Sequence, residues 1–315
     1  MHYPIWSRQF ALCAGWGFDK VKELRDLTGA GMVDCKNALS ENNENIDLAI
    51  EYLRKKGIAK AAKKSDRSAA EGLITIVKSS NKASIVEINS ETDFVAKNPE
   101  FNSFCKQVSN LCLESDSLES LKEKKTDKDL TVSETLVNLI AKIGENIQIR
   151  RFKNIDYKSQ VSTYIHNKQN DNSGKLAVLL SYASDNKDLS KDFANQLCMH
   201  IAAMSPQSLD EKGISQEFLE NEKKIMQDQL LEEGKKPEMI DKIILGKVSK
   251  IIKDNTLLGQ KWVINPELTV QQAIDGFAKD NKCSFSIEDF VRYKVGEGIE
   301  VKKSDFANEV KDLTN

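Results

Sequence analysis

The chain has 315 residues, 46 of them basic and 48 acidic, for a formal net charge of -2, and 40% of its residues are hydrophobic. That length supports two or three units with cores of their own and excludes a small scaffold stapled by disulfides. No basic excess calls for nucleic acid as the main partner, and no apolar run approaches the ~18 residues of a membrane span, so direct binding to nucleic acid or membrane is not expected.

Residues 1–18, "MHYPIWSRQFALCAGWGF", hold one arginine and no acid. They read as an extension or a misassigned start, with a targeting presequence as the alternative. Across 19–57 the apolar spacing predicts three short helices: Val21, Leu24 and Leu27; then, after the break "TGAG", Met32, Cys35 and Leu39; then, capped by Asn45, Ile46, Ala49, Ile50 and Leu53. Residues 58–71 are basic and alanine-rich and read as a partly helical linker.

From residue 72 the period changes to two. "LITIVKSSNKASIVEIN" predicts a hairpin, and Asn98 with Pro99 predicts the start of a helix facing inward through Phe101, Phe104, Cys105, Val108 and Leu111. A helix on Leu136, Leu139, Ile140 and Ile143 and a strand on Ile147 and Ile149 complete a core subdomain over 72–154. The order then returns: "STYIHNKQNDNSGKLAVLLSYA" is a second hairpin, and Leu197, Cys198, Ile201 and Met204 match Phe104, Cys105, Val108 and Leu111 at one constant offset. This internal repeat predicts a second core subdomain over 155–214 and 257–292. Within it, residues 215–256 predict a projecting antiparallel helical hairpin: Leu219, Met226 and Leu230 on one arm, Ile240, Ile244, Val248 and Ile251 on the other, with Gly234 and Pro237 at the turn. The closing stretch gives a strand, and residues 293–315 form a C-terminal module ending in an amphipathic helix on Phe306 and Val310. The fold class is α+β.

Six cysteines (Cys13, Cys35, Cys105, Cys112, Cys198 and Cys283) form no C-x-x-C pair and read as reduced, buried small hydrophobes, as in a cytoplasmic protein. The three histidines have no metal-ligand spacing, and the chain carries no phosphate-loop, dinucleotide or nucleophile-elbow motif. No catalytic residue, metal ligand or cofactor is assigned, although groups gathered only by folding leave no linear trace. The lysine run from Lys55 to Lys64 reads as a solvated helix face, with phosphate binding as the alternative. His200, on an otherwise apolar helix, reads by default as a satisfied core or boundary histidine. In "INSETDFVAKNPEF" an aromatic, Phe94, stands where a strand gives way to a turn: it is either a plug for this chain's own core or a probe for another's, and spacing alone favours the plug.

"VKELRDLTGAGMVDCKNAL", "AIEYLRKKG", "KAAKK", "ETDFVAKN", "AKIGENIQIRR", "MHIAA" and "VGEGIE" occur in that order. Together, over about residues 20 to 312, they closely resemble the bacterial elongation factor Ts family, guanine-nucleotide exchange factors of elongation factor Tu. The resemblance implies a UBA-like N-terminal module, a two-part core, a coiled-coil hairpin and a C-terminal docking helix, with no covalent catalysis. It implies elongation factor Tu as partner, both GDP-bound and nucleotide-free, in a complex that could pair as a dimer of heterodimers. Thr92, Asp93, Phe94 and Val95 would dislodge the partner's Mg2+, with Phe94 as the wedge and Asp93 its polar companion. Leu24 and Met32, with Asp34 and Lys36 beside them, would dock on a partner helix. Ile143 and Gly144 would add contacts, and His200 would approach the phosphate-binding side. Val33 stands where the family often has a second methionine. The competing readings are an adaptor binding ubiquitin or peptides through the three-helix module, and an RNA-binding accessory protein using Lys55 to Lys64.

Overall fold

A computed structural model describes residues 9–28 and 30–300, which divide into two units. The helix expected on Phe306 and Val310 lies outside them.

The first unit holds the described residues up to Leu73, together with Val86–Phe152 and those from Val295 onward. Its N-terminal part is three helices: α1 (Gln9–Thr28), α2 (Met32–Glu41) and α3 (Ile46–Ala62). Helix α1 begins before Asp19, where the apolar spacing starts. Val21, Leu24, Cys35, Ala38, Leu39 and Ala49 form the shared core. Asn45 caps α3 by accepting from the Leu48 N–H at 3.0 Å, as its position between a turn and an apolar period requires. The expected boundary at residue 57 falls inside α3, which continues through Gly57 to Ala62. The lysines and alanines there are good helix formers, and the buried Gly57 faces Val137 and Ala141 of a later helix, so packing offsets the ~1 kcal/mol that a mid-helix glycine costs.

Strands β1 (Glu71–Lys78) and β2 (Lys82–Ser90) form the first hairpin. Gly72 sits at φ 129°, and a Cβ there would lie 2.1 Å from the Ile88 carbonyl oxygen, so the approach of the two strands admits only glycine. Helices α4 (Pro99–Cys112), α5 (Leu118–Glu123) and α6 (Val132–Ile143) follow, and then β3 (Ile147–Asp156), which pairs with β2. The core of this part joins Val86 and Ile88, Phe101, Phe104, Cys105 and Val108, Leu139 and Ile140, and Ile147 and Ile149. The inward face of α4 is the one its 3.6-residue spacing marks.

The second unit is Ile74–Ile85 with Lys153–Lys294. Strand β4 (Gln160–Asn170) pairs antiparallel with β5 (Ser173–Ser184), with Thr163 opposite Leu179. Helices α7 (Lys187–Met204), α8 (Gln216–Glu232), α9 (Pro237–Asn255) and α10 (Val270–Asn281) precede β6 (Phe285–Lys294). β6 pairs with β5, placing Val291 opposite Leu179, and the remaining stretch of that edge of β5 meets β1 at Ile74 and Thr75. With partners on both edges, β5 is buried almost throughout, which accounts for its continuous apolar run "LAVLLSYA". Val178, Leu180, Leu197, Cys198, Ile201, Trp262 and Ile274 share its core. At the matched positions Phe104, Cys105 and Val108 are buried, as are Leu197, Cys198 and Ile201, whereas Met204 is exposed. Helices α8 and α9 pack on one another through Leu219, Met226, Ile244, Val248 and Ile251. Helix α10 carries no expectation from the sequence reading. The fold is a mixed α+β arrangement with a helical N-terminal region.

Candidate functional site

After Ser90 the strand gives way to a loop whose backbone is pinned on both sides of one residue. The Ser90 hydroxyl donates to the Thr92 carbonyl at 2.9 Å. Phe94 then starts a short 3-10 turn over Val95–Lys97, in which the Lys97 N–H donates to the Phe94 carbonyl (3.1 Å) and the Asn98 N–H to the Val95 carbonyl (2.9 Å). Asn98 in turn caps α4, accepting from the Glu100 N–H at 2.8 Å, while the Asn102 amide donates to the Ala96 carbonyl at 2.8 Å. Val95 and Ala96 are buried against α4, β2 and β3. Between these anchors the Phe94 ring is 75% exposed. The plug that spacing favoured is not what forms, because Val95 and Ala96 already fill the space under the loop. Val95, expected to act on the partner, is instead a core residue, and Asp93 is exposed beside Phe94.

A second turn underpins the loop. Gly144 ends α6 with φ 86° and donates its N–H to the Ile140 carbonyl at 2.9 Å, a left-handed cap suited to glycine. Its own carbonyl accepts from the Lys64 ammonium. Ile143 packs partly on the core. Next in the chain, the Glu145 carboxylate accepts from the Thr92 N–H (2.9 Å) and the Thr92 hydroxyl (2.6 Å). In the opposite direction, Glu91 accepts from the Asn146 N–H at 2.5 Å. The sequence reading singled out Ile143 and Gly144 but not Glu91, Glu145 or Asn146. Nothing in linear spacing pairs residues more than fifty positions apart.

In the N-terminal module, Asp34 pairs with Lys60 (3.0 Å) and Lys56 (3.3 Å). The Lys60 hydrogen bond, joined by Lys56 and opposed by partial burial, holds the Asp34 carboxyl below the usual carboxylate range. Met32 is half-buried against the bundle and Lys36 is exposed. Leu24, expected as a contact, is fully buried in the three-helix core and has no surface to offer, because its position in the apolar period of α1 faces α2 and α3. Among the described residues of this module the exposed large apolar side chains are Leu27, Val33, Leu48 and Ile58, with Val33 71% exposed.

In the second unit His200 is also fully buried, against the ring of Trp262. Its Nδ1 accepts from the Val263 N–H at 3.3 Å, so the proton sits on Nε2, which donates to the Gln260 side-chain oxygen at 3.1 Å. The Gln260 amide nitrogen donates onward to the carbonyls of Met204 (3.2 Å) and Asp254 (2.8 Å). Burial pushes the His200 pKa down, with the Gln260 bond opposing, which favours the neutral ring. Direct contact between His200 and a partner is therefore corrected: the satisfied core histidine is what forms. Met199 and Met204 on the same helix, and Val263 and Ile264 in the segment bonded to the ring, are exposed apolar side chains. Burial likewise pushes the Cys198 thiol up to about 12, so it behaves as a small hydrophobe. Among the described residues no helix is long and apolar enough to cross a membrane.

Residues 91–297, from the base of the Phe94 loop to the end of the β6 region, match the family model described as Elongation factor TS. The chain is 48% identical over 300 residues to Elongation factor Ts of Nitratiruptor sp., covering 92% of this chain and 96% of that one. It is 43% identical over 290 residues to Elongation factor Ts of Ruegeria sp. (92% and 96%) and 40% identical over 297 residues to that of Rickettsia massiliae (93% and 96%). The chain belongs to the elongation factor Ts family.

Proposed function

We infer that this translation elongation factor binds elongation factor Tu carrying GDP and promotes GDP release, so that GTP can take its place. The observation that supports the reading is the outward Phe94 ring on a loop fixed at both ends: a large aromatic left in water on an ordered scaffold has more to gain on entering another protein than from its own fold. Phe94 wedges into the partner's nucleotide-binding domain, with Asp93 beside it and Thr92 anchoring the loop. The wedge displaces the Mg2+ that bridges the phosphates to the partner's side chains, and the nucleotide loosens without the factor touching its base.

Exchange of this kind needs differential binding alone. The factor prefers the nucleotide-free partner, and by linkage the nucleotide weakens the factor by the same ratio. Moving a two-state equilibrium from 1:99 to 99:1 takes about 5.5 kcal/mol of differential affinity, whereas burying one phenylalanine contributes roughly 1.5–3 kcal/mol. Several contacts must therefore share the work. In the N-terminal module, read as UBA-like, Met32, Val33 and Leu27 present the apolar surface, with Asp34 and Lys36 at its edge and Leu24 supporting it from inside. Ile143 and Gly144 contribute beside the wedge. His200 acts from beneath, holding Val263 and the end of α7 in place.

The α8–α9 pair is read as a coiled-coil hairpin that could join two complexes as a dimer of heterodimers, and the work is done in the cytoplasm with neither cofactor nor covalent step. Stopped-flow release of fluorescent GDP from elongation factor Tu tests the central element. Phe94→Ala is expected to lower the maximal release rate by at least roughly tenfold while the chain stays folded; an unchanged rate would remove the wedge from the account.

A further inference from the structure

We propose that Glu145 is the positioning residue for Phe94: its carboxylate, accepting from both the amide and the hydroxyl of Thr92, holds the ring in its projecting pose before any partner arrives. This rests on the exchange-factor reading above and extends it to a residue outside the contact surface.

The geometry is a reciprocal clamp. Glu145 takes the backbone N–H of Thr92 at 2.9 Å and its hydroxyl at 2.6 Å, and Glu91 takes the backbone N–H of Asn146 at 2.5 Å. An acid of each segment thus holds the main chain of the other, and charge-assisted bonds to a half-buried carboxylate are stronger than neutral ones. The turn that carries Glu145 is itself tied down. The Asn146 side-chain amide donates to the carbonyls of Arg67 (2.7 Å) and Ser65 (3.3 Å), and the Lys64 ammonium donates to Gly144. Arg67 closes the ring with an ion pair to Glu91 at 3.5 Å. The chain leaving α3, the turn after α6 and the loop after β2 are therefore one polar assembly, and Phe94 is its apolar outlet two residues beyond Thr92.

Loops released from such a base must be ordered when they bind, which costs affinity or rate. A wedge needs the opposite, a ring already aimed. The prediction is that Glu145 acts through Phe94 and nowhere else.

The test uses the full chain with fluorescent GDP on elongation factor Tu, titrated to separate maximal release rate from half-saturating concentration, with a thermal melt of each variant. Glu145→Ala is expected to lower the maximal rate roughly tenfold. Glu145→Gln is expected to rescue most of it, because the amide oxygen can accept from the Thr92 N–H while the amide nitrogen donates to the Thr92 hydroxyl. In a Phe94→Ala background, Glu145→Ala should cost nothing more. If the melt shows Glu145→Ala unfolded, Thr92→Val, which removes only the hydroxyl arm, carries the test with a smaller loss of the same kind. A wild-type rate in a folded Glu145→Ala, a glutamine variant as impaired as alanine, or an undiminished loss in the Phe94→Ala background each overturns the proposal. Those outcomes leave the wedge standing if Phe94→Ala alone is slow; a normal rate in Phe94→Ala overturns both.

Discussion

The Phe94 loop and the His200 helix end are assembled from similar parts and reach opposite results. Around Phe94 the hydrogen bonds go to the backbone and to the residues on either side, and among the described residues the side chain is left 75% exposed. At His200 they go to the ring itself: Val263 donates to one nitrogen, Gln260 accepts from the other, and Trp262 packs on the face. The lesson is that polar bonds placed around a side chain can aim it, whereas polar bonds placed on it seal it in. Two residues that a family resemblance would treat alike, as contacts, therefore divide into one that is open to water and one that is sealed within its own unit.

Stability measurements in denaturant can break this division, and the largest effect is expected at the sealed site. His200→Ala would leave the Gln260 oxygen and the Val263 N–H unpaired beside a cavity under Trp262, and should cost about 2–4 kcal/mol. A loss below about 0.5 kcal/mol would mean the site is open to water.

The next effect is in pH. The folded pKa of His200 lies below its unfolded value, so between the two the unfolded chain binds the proton and the folded chain does not. Its contribution is fully present above about 6.5 and is lost as pH falls from there through the lowered folded value, with a slope of at most ~1.4 kcal/mol per pH unit. His200→Gln should flatten that window in the unfolding curves of the full chain. Asp34, whose folded pKa is lowered by Lys60 and Lys56, contributes in a separate window: its share is present above about 4 and is lost as pH falls through its folded value. The smallest effect belongs to Phe94→Ala, which should change stability by less than about 0.5 kcal/mol in either direction. A larger loss would show the ring at work in its own core.

Much of the fold is legible in the sequence because period and capping are local signals. Asn45 and Asn98 mark helix starts, the spacing of Phe101, Phe104, Cys105 and Val108 marks a buried face, and the run "LAVLLSYA" marks a strand of the second hairpin. What escaped depends on contacts distant in the chain. Helix α3 runs past Gly57 because α6 receives it, and no local rule carries that information. The exposure of Phe94 is decided by Val95 and Ala96 filling the core first, and the burial of Leu24 by its place among three helices. Glu145 was invisible because its partner, Thr92, is 53 residues away.

The central claim is that the Phe94 ring moves from water into elongation factor Tu when the partner loses its nucleotide. It is tested most directly by fluorine NMR on the full chain carrying 4-fluorophenylalanine at position 94. Saturating nucleotide-free elongation factor Tu should shift and broaden that resonance and remove its sensitivity to solvent isotope, and added GDP should restore the free signal. A resonance at its free position and still solvent-sensitive in the saturated complex would contradict the account.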